Sequence, residues 1–399
     1  MNTEVNTFTE LKKLELGHSK CGRMHLGNKS YQCHKGNVHG EEMRQTQKEK
    51  YLGDQINNKG NIKDTITERA NKGYAIVSQI MSLIKELPIG QFRTQIGLML
   101  RDAWLVNGTL FNSEAWHGIS KDTMKPLESV DHHLLRQLLG AHVKTPTEFL
   151  YLETGCTPLA FIVKSRRLMY LKEIITRPEE ELISRIYQSQ KKAPKTGDWC
   201  QMVKDDLQVL GIHMSEEEIA SMSTLSYKRH IKSQIKKAAF LHLQTLQANH
   251  TKVKDIHYVN DGKPQSYLTS KEFTNIECQV LTMLRSQTVR GIRKNFSGMY
   301  GGATMCPLCN THPDTQEHIL QCHKIQEIEP QLNEDVSFSD VFKDVTLQKK
   351  AVQEYLKALK ARDSLLEEEG QHSLPGLHNT GPTLARTART GQGREDNQA

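Results

Sequence analysis

The sequence predicts a mainly α-helical chain with a short β-hairpin region at its N-terminus, a small cysteine-rich module beginning near residue 306 and a disordered C-terminal tail. Three observations carry this. From Ile62 onward apolar residues recur at intervals of three and four, the period of a helix with one buried face. Residues 1–60 are broken instead by Gly, Asn and His, which suits short strands and turns. Three of the eight cysteines fall together in CPLCNTHPDTQEHILQC, residues 306–322.

Taken in order, SYQCHKGNVHGEEM and EKYLGDQINNKGNI each place Gly beside Asn or His, and the second offers a two-residue NK or KG tip for a hairpin. Ile62, Ile66, Arg69, Gly73, Val77, Ile80 and Ile84 then form one stripe of an amphipathic helix that ends before Pro88. A second helix is expected over QFRTQIGLMLRDAWLVNGTLF and a third over MKPLESVDHHLLRQLLGAH, with Pro126 near its start. Two more follow between Thr145 and Gln190, introduced by Thr-Pro or followed by Pro178. KKAPKTGDW breaks the pattern and reads as a linker or domain edge. In SEEEIASMSTLSYKRHIKSQIKKAAFLHLQTLQ, Ser215 and Glu218 form the S-x-x-E of a capping box. A last helical pattern runs through Val341, Val345, Val352, Leu356 and Leu359, and the segment after Gly370 lacks the aliphatics that offset ordering entropy.

With 399 residues, 37% of them hydrophobic, the chain can build two or three compact units. Its net charge of +7 is modest, but Ser221–Tyr300 holds 13 Lys/Arg against 4 Asp/Glu, so this window alone carries +9. No stretch approaches the roughly 18 apolar residues of a membrane span, and the N-terminus lacks a basic region followed by an apolar run. An intracellular protein of nucleus or cytoplasm, neither secreted nor membrane-bound, is expected. The scattered Cys21, Cys33, Cys156, Cys200 and Cys278 suit free thiols in a reducing compartment.

The cluster reads as C-x2-C-x8-H-x3-C. Cys306 and Cys309 have the spacing that lets two thiolates curl round one ion, and Asp314 with Glu317 offers a helix start that would set His318 and Cys322 on one face. Four such ligands suit tetrahedral Zn2+ and leave no position for a reacting water, so the site would be structural. His312 and His323 are substitute ligands, and the alternative is ordinary buried thiols beside a surface histidine.

Just upstream, QVLTMLRSQTVRGIRKNFSGMYGG sets Arg285, Arg290, Arg293 and Lys294 beside Phe296 and Tyr300, a pairing of cations with aromatics that suits phosphates and stacked bases. Lys228, Arg229, Lys232, Lys236 and Lys237 fall on neighbouring turns of one helix. RNA or single-stranded DNA is the expected partner. A solvated basic helix, or one that meets an acidic protein, is the alternative.

KLELGHSKCGRMHLG, VHGEEM, EKYLGDQI, LFNSEAWHGI, KTPTEFLYLETG and CPLC with TQEHILQC together resemble the C-terminal portion of a non-LTR (LINE-type) retrotransposon reverse transcriptase, from about Phe8 to Arg362. The resemblance implies residues 1–60 as the end of the palm with a primer-grip hairpin, 61–190 as a helical thumb and 191–300 as a basic helical connector. It further implies 301–326 as a CCHC zinc knuckle and 327–369 as a C-terminal helical segment, before a tail over 370–399. By that resemblance Lys20 lies near the incoming nucleotide, Tyr51, Leu52 and Gly53 belong to the primer grip, and the thumb, with Arg93 and Arg101, closes on an RNA–DNA duplex. Lys20 equally suits a surface lysine, and Tyr51–Leu52 a strand packed on the first helix.

Polymerisation by two metal ions needs clustered carboxylates, which the family carries on a Tyr/Phe-x-Asp-Asp hairpin and an earlier strand, both upstream of this segment. Asp205–Asp206 lacks the preceding aromatic and reads as the polar face of a helix, and no nuclease carboxylate set follows the cysteine module. The expectation is a nucleic-acid-binding protein that does not polymerise DNA by itself, or a helical interaction module braced by zinc. It becomes part of an RNA-directed DNA polymerase if a palm is supplied.

Overall fold

The computed structural model describes residues 2–13, 21–25, 37–38, 41–86, 93–259, 262–289, 291–295, 301–302, 304–333 and 335–368. Lys20, Cys33, Arg290, Phe296, Tyr300 and the tail expected over 370–399 lie outside them. The chain is mainly helical and divides into two compact units, Met1–Leu139 with Thr145–Asn275, and Gly140–Lys144 with Ile276–Ala399. No described helix is long and apolar enough to cross a membrane.

In the first unit, helix α1 (Asn2–Leu11) precedes the short strands β1 (Gly22–Arg23), β2 (Asn37–Val38), β3 (Glu41–Glu42), β4 (Arg44–Gln45), β5 (Lys48–Tyr51) and β6 (Asp54–Asn57). β1 pairs parallel with β4, while β2–β3 and β5–β6 are antiparallel. The β5–β6 tip is Leu52–Gly53, with φ of 47° and 86°, not the expected NK or KG. Two consecutive positive φ values make the tight turn that matches strand twist. The Asn-rich segment does something else: buried Asn57 accepts from Lys59 N and Asn61 N and donates to Asp64 Oδ2, so it bends the chain into the next helix.

That helix, α2 (Lys63–Glu86), buries Ile66, Arg69, Gly73, Val77, Ile80 and Ile84, the stripe read from the sequence. It carries the hairpin through Gln55 N to Thr65 Oγ1 (2.9 Å) and Arg69 to Asp54 (3.1 Å). Glycine is required at 73, where a Cβ would lie 2.9 Å from Val130. The expected second helix is α3 (Arg93–Leu100), a π-helical segment Arg101–Val106 and α4 (Asn107–Thr109) in succession. The insertion turns Arg101 inward, where it is 1% exposed.

α5 (Lys121–Leu139) contributes Asp131, wholly buried, which takes Arg101 Nε and Nη2 at 2.7 Å each. α6 (Thr147–Thr154) adds Tyr151, whose hydroxyl donates to the same carboxylate at 2.9 Å. Arg101 is therefore a core residue, not the nucleic-acid contact that the resemblance implied.

α7 (Leu159–Ile175) and α8 (Leu182–Lys192) complete three helices where two were expected, because Leu182, Ile183, Ile186 and Tyr187 restart a helical period after Pro178. α9 (Trp199–Val209), α10 (Glu216–Ser221) and α11 (Thr224–Ala248) follow, and the Ser215/Glu218 capping box is present in full. Leu168, Leu171, Trp199, Val203, Tyr227 and Ile231 share one core. KKAPKTGDW is thus a loop inside a unit, not a domain edge. Asp205 is exposed as expected, but Asp206 is buried against Arg167 and 2.6 Å from Lys164, so the Asp pair is structural. In the second unit, the end of α12 (Asn275–Arg285), α13 (Gln316–Gln321) and α14 (His323–Ile328) accompany α15 (Val345–Glu368).

Two outcomes follow for the first unit, which holds all three tryptophans, Trp104, Trp116 and Trp199, so that fluorescence reports on it. Asp131→Ala leaves Arg101 without its main partner and lowers stability by about 3–5 kcal/mol in urea unfolding. Burial pushes the His132 imidazole down to about 4, against the opposing pull of Asp131. The unfolded chain takes up this proton below about pH 6.5 while the folded chain refuses it, so stability is full above that value and falls on acidification. The loss between pH 7.5 and 5 is roughly 2 kcal/mol, and His132→Leu removes it.

Candidate metal centre and basic face

The CPLC turn is set by backbone: Cys306 N donates to His312 O at 2.8 Å and Asn310 N to Cys306 O at 2.9 Å, with Asn310 at φ 54°. Met305 bridges antiparallel to Pro313, closing the loop on itself. Thr315, not Asp314, caps α13, its hydroxyl accepting from His318 N at 3.1 Å. The capped first turn turns His318 back towards the loop. Cys322 ends α13 and starts α14, and its carbonyl accepts from Ile325 N and Gln326 N.

The four side-chain ligand atoms of Cys306, Cys309, His318 and Cys322 all lie within 4.8 Å of one another and can hold a metal ion. Cys306 Sγ and Cys322 Sγ are 3.9 Å apart, and Cys309 Sγ is 3.2 Å from His318 Nε2. The first distance is far beyond a disulfide, about 2.05 Å. It matches the ~3.8 Å edge of a tetrahedron with metal–sulfur bonds of about 2.3 Å. Cys306, Cys322 and His318 are buried and Cys309 half-buried, so the set is closed.

The Cys322 hydrogen bond holds the Cys306 thiol well below its usual range, against burial and helped by the amides of Cys309 and Leu308. The same shared proton, together with burial, pushes Cys322 up, while the amides of Ile325 and Lys324 pull it down. Burial raises Cys309, but the hydroxyl and amide of Thr311 and the amide of His312 bring it to about 7. All three sulfurs thus face backbone N–H groups from residues two and three further on. Neither substitute ligand is used: the exposed His323 lies outside the cluster, and the His312 ring stacks on His318 at 5.2 Å.

The loop is fixed to the second unit by Asp314, wholly buried, whose Oδ2 accepts from Arg293 N at 2.7 Å and Arg362 Nη2 at 2.8 Å. Gln316 donates to Leu284 O and its carbonyl accepts from Tyr355 Oη, both at 3.0 Å. Sequence reasoning missed Asp314 as an anchor, since nothing in the chain pairs it with an arginine 48 residues away.

The basic residues divide into two groups. Arg285, expected at nucleic acid, is 2% exposed, donates to Val341 O and stacks 5.3 Å over the Phe342 ring, so it serves the core. Arg293 is half-buried with its guanidinium at Met305 O, and Lys294 is exposed. On α11, Tyr227, Ile231, Ile235, Ala239 and Leu243 face inward. Lys228, Arg229, Lys232, Lys236 and Lys237 are all exposed, and none has a carboxylate within salt-bridge reach among the described residues. At the hairpin tip, Tyr51 and Leu52 are 63% and 69% exposed rather than packed on α2.

No protein-family model, curated protein or solved structure matches the chain.

One metal ion per chain is expected by elemental analysis, lost when Cys306 and Cys309 are both changed to Ser. Chelation or the double variant should unfold the second unit, seen as lost helical circular dichroism, while tryptophan fluorescence of the first unit holds. Retained stoichiometry in the double variant would contradict the ligand set.

Proposed function

We propose that this chain is a nucleic-acid-binding protein that holds RNA or single-stranded DNA on the basic face of α11. Its metal centre is a structural zinc site, and the chain derives from the C-terminal portion of a non-LTR retrotransposon reverse transcriptase. The carrying observation is the set of five exposed cations on α11 with no carboxylate partner among the described residues. Surface lysines are ordinarily interspersed with acids, which screen them from a polyanion. Here the ammonium groups of Lys228, Lys232 and Lys236 recur every four residues along one side of the helix, where each can displace a condensed counterion from a phosphate.

Three thiolates and one imidazole in a closed set suit zinc, which contributes folding free energy and has no open position for substrate. The family reading is supported by the quoted motifs. In it, the exposed Tyr51–Leu52 tip grips a primer, Lys20 lies near the nucleotide and the helices approach an RNA–DNA duplex. The chemistry of binding does not depend on that descent.

Binding of a labelled single-stranded RNA oligonucleotide tests the proposal. With five phosphate contacts, the logarithm of affinity should fall against the logarithm of salt with a slope of about −3.5. Changing all five cations to Gln should flatten the slope and abolish binding at 0.1 M salt, on the order of the ionic strength in cells. Absence of binding by the unaltered chain at low salt overturns the proposal.

A further inference from the structure

Beside α11 the first unit opens a cleft of about 420 Å3 near Lys228 and a larger one of about 680 Å3 that takes both Lys232 and Lys236. The larger cleft lies between α3 with its π-helical segment, the turn joining α6 to α7, α7 itself and α11. Its volume is within the roughly 300–1,000 Å3 of ligand clefts. The walls differ in chemistry. α11 presents Lys232 and Lys236, about 6 Å apart along the helix axis. Leu98, Ile162 and Ile235 give an apolar floor, and Met99, 71% exposed, stands on the α3 side. On that side too is Asp102, 71% exposed, its carboxylate 2.8 Å from Arg101 Nη1.

We infer, resting on the nucleic-acid reading above, that this cleft seats one single strand, with its phosphates along α11 and its bases turned towards Met99 and the apolar floor. Each wall asks for a different part of the same ligand. Lysine ammonium groups are compact point charges suited to phosphates, and an apolar surface takes the flat face of any base. Asp102 repels phosphate, so the acidic rim fixes which side of the strand faces α11. The π-helical segment creates this arrangement: it buries Arg101 against Asp131 and leaves the next residue, Asp102, on the rim. A duplex keeps its bases stacked inside and has no face to offer the floor.

The test compares two variants of the full chain that remove equal charge from the same helix. K232Q/K236Q lies in the cleft, and R229Q/K237Q lies outside it. With a fluorescein-labelled oligouridine, anisotropy should show at least a tenfold loss for the cleft pair and no more than a threefold loss for the other. The cleft pair should also reduce the salt slope by about 1.4, or 0.7 per phosphate contact. D102N should tighten binding several-fold, and a hairpin duplex should compete poorly. Tryptophan fluorescence confirms that each variant is folded. Equal losses for the two pairs, or unchanged affinity in D102N, overturn the cleft while leaving binding by α11 in place. Failure of the unaltered chain to bind oligouridine overturns both.

Discussion

A carboxylate taken wholly out of water must be met by cations and donors, and in this protein that constraint falls on Asp131. It receives two guanidinium nitrogens of Arg101 and the hydroxyl of Tyr151, which joins the π-helical segment, α5 and α6 at one point. Arg101 also donates to Thr157 O at 3.0 Å, so the turn that begins α7 is held by the same group. Removing one partner exposes the other to the full desolvation penalty, whereas the pair itself contributes little net stability. The consequence is positional: the floor of the cleft beside α11 has its shape because these four segments cannot slide past one another.

The same constraint recurs at Asp206 with Arg167 and at Asp314 with Arg362. Each couples residues dozens of positions apart, and each withdraws an arginine from solvent. Arg285 is withdrawn differently, by Val341 O and the Phe342 ring. The planar, weakly hydrated guanidinium is better suited to such burial than the ammonium group, which is buried at Lys172 only by donating to the carbonyls of Ile219, Ala220 and Met222. A count of basic residues along the chain therefore misjudges which of them meet a partner.

Much of the architecture was legible because local rules set it. The α2 stripe, the Ser215–Glu218 box and the spacing of Cys306, Cys309, His318 and Cys322 each depend on residues within a few turns of one another. What escaped depends on distant partners. Leu52 at positive φ runs against its residue type, so only Gly53 marks the tip locally, while the Asn-rich segment that looked like a turn bends the chain into α2. Asp206 looks like half of a polar pair until α7 supplies Arg167, and Asp314 looks like a helix cap until α15 supplies Arg362. The π-helical insertion has no local signature at all in RDAWLV.

The candidate metal centre and the basic face differ in physical character. The ligand atoms of Cys306, Cys309, His318 and Cys322 lie close enough together to hold a metal ion, and the His312 ring stacks on His318. An ion held there would contribute its binding free energy to folding, since no preformed ligand set exists in the unfolded chain. Asp314 and Gln316 tie the loop to α15 and the end of α12, so an ion held there would steady more than the loop itself. The α11 cations show the opposite character: no carboxylate among the described residues pairs with them, and their mutual repulsion weakens the fold slightly. In the proposed function a polyanion completes this row, because the phosphates of one strand can meet the cations at successive positions.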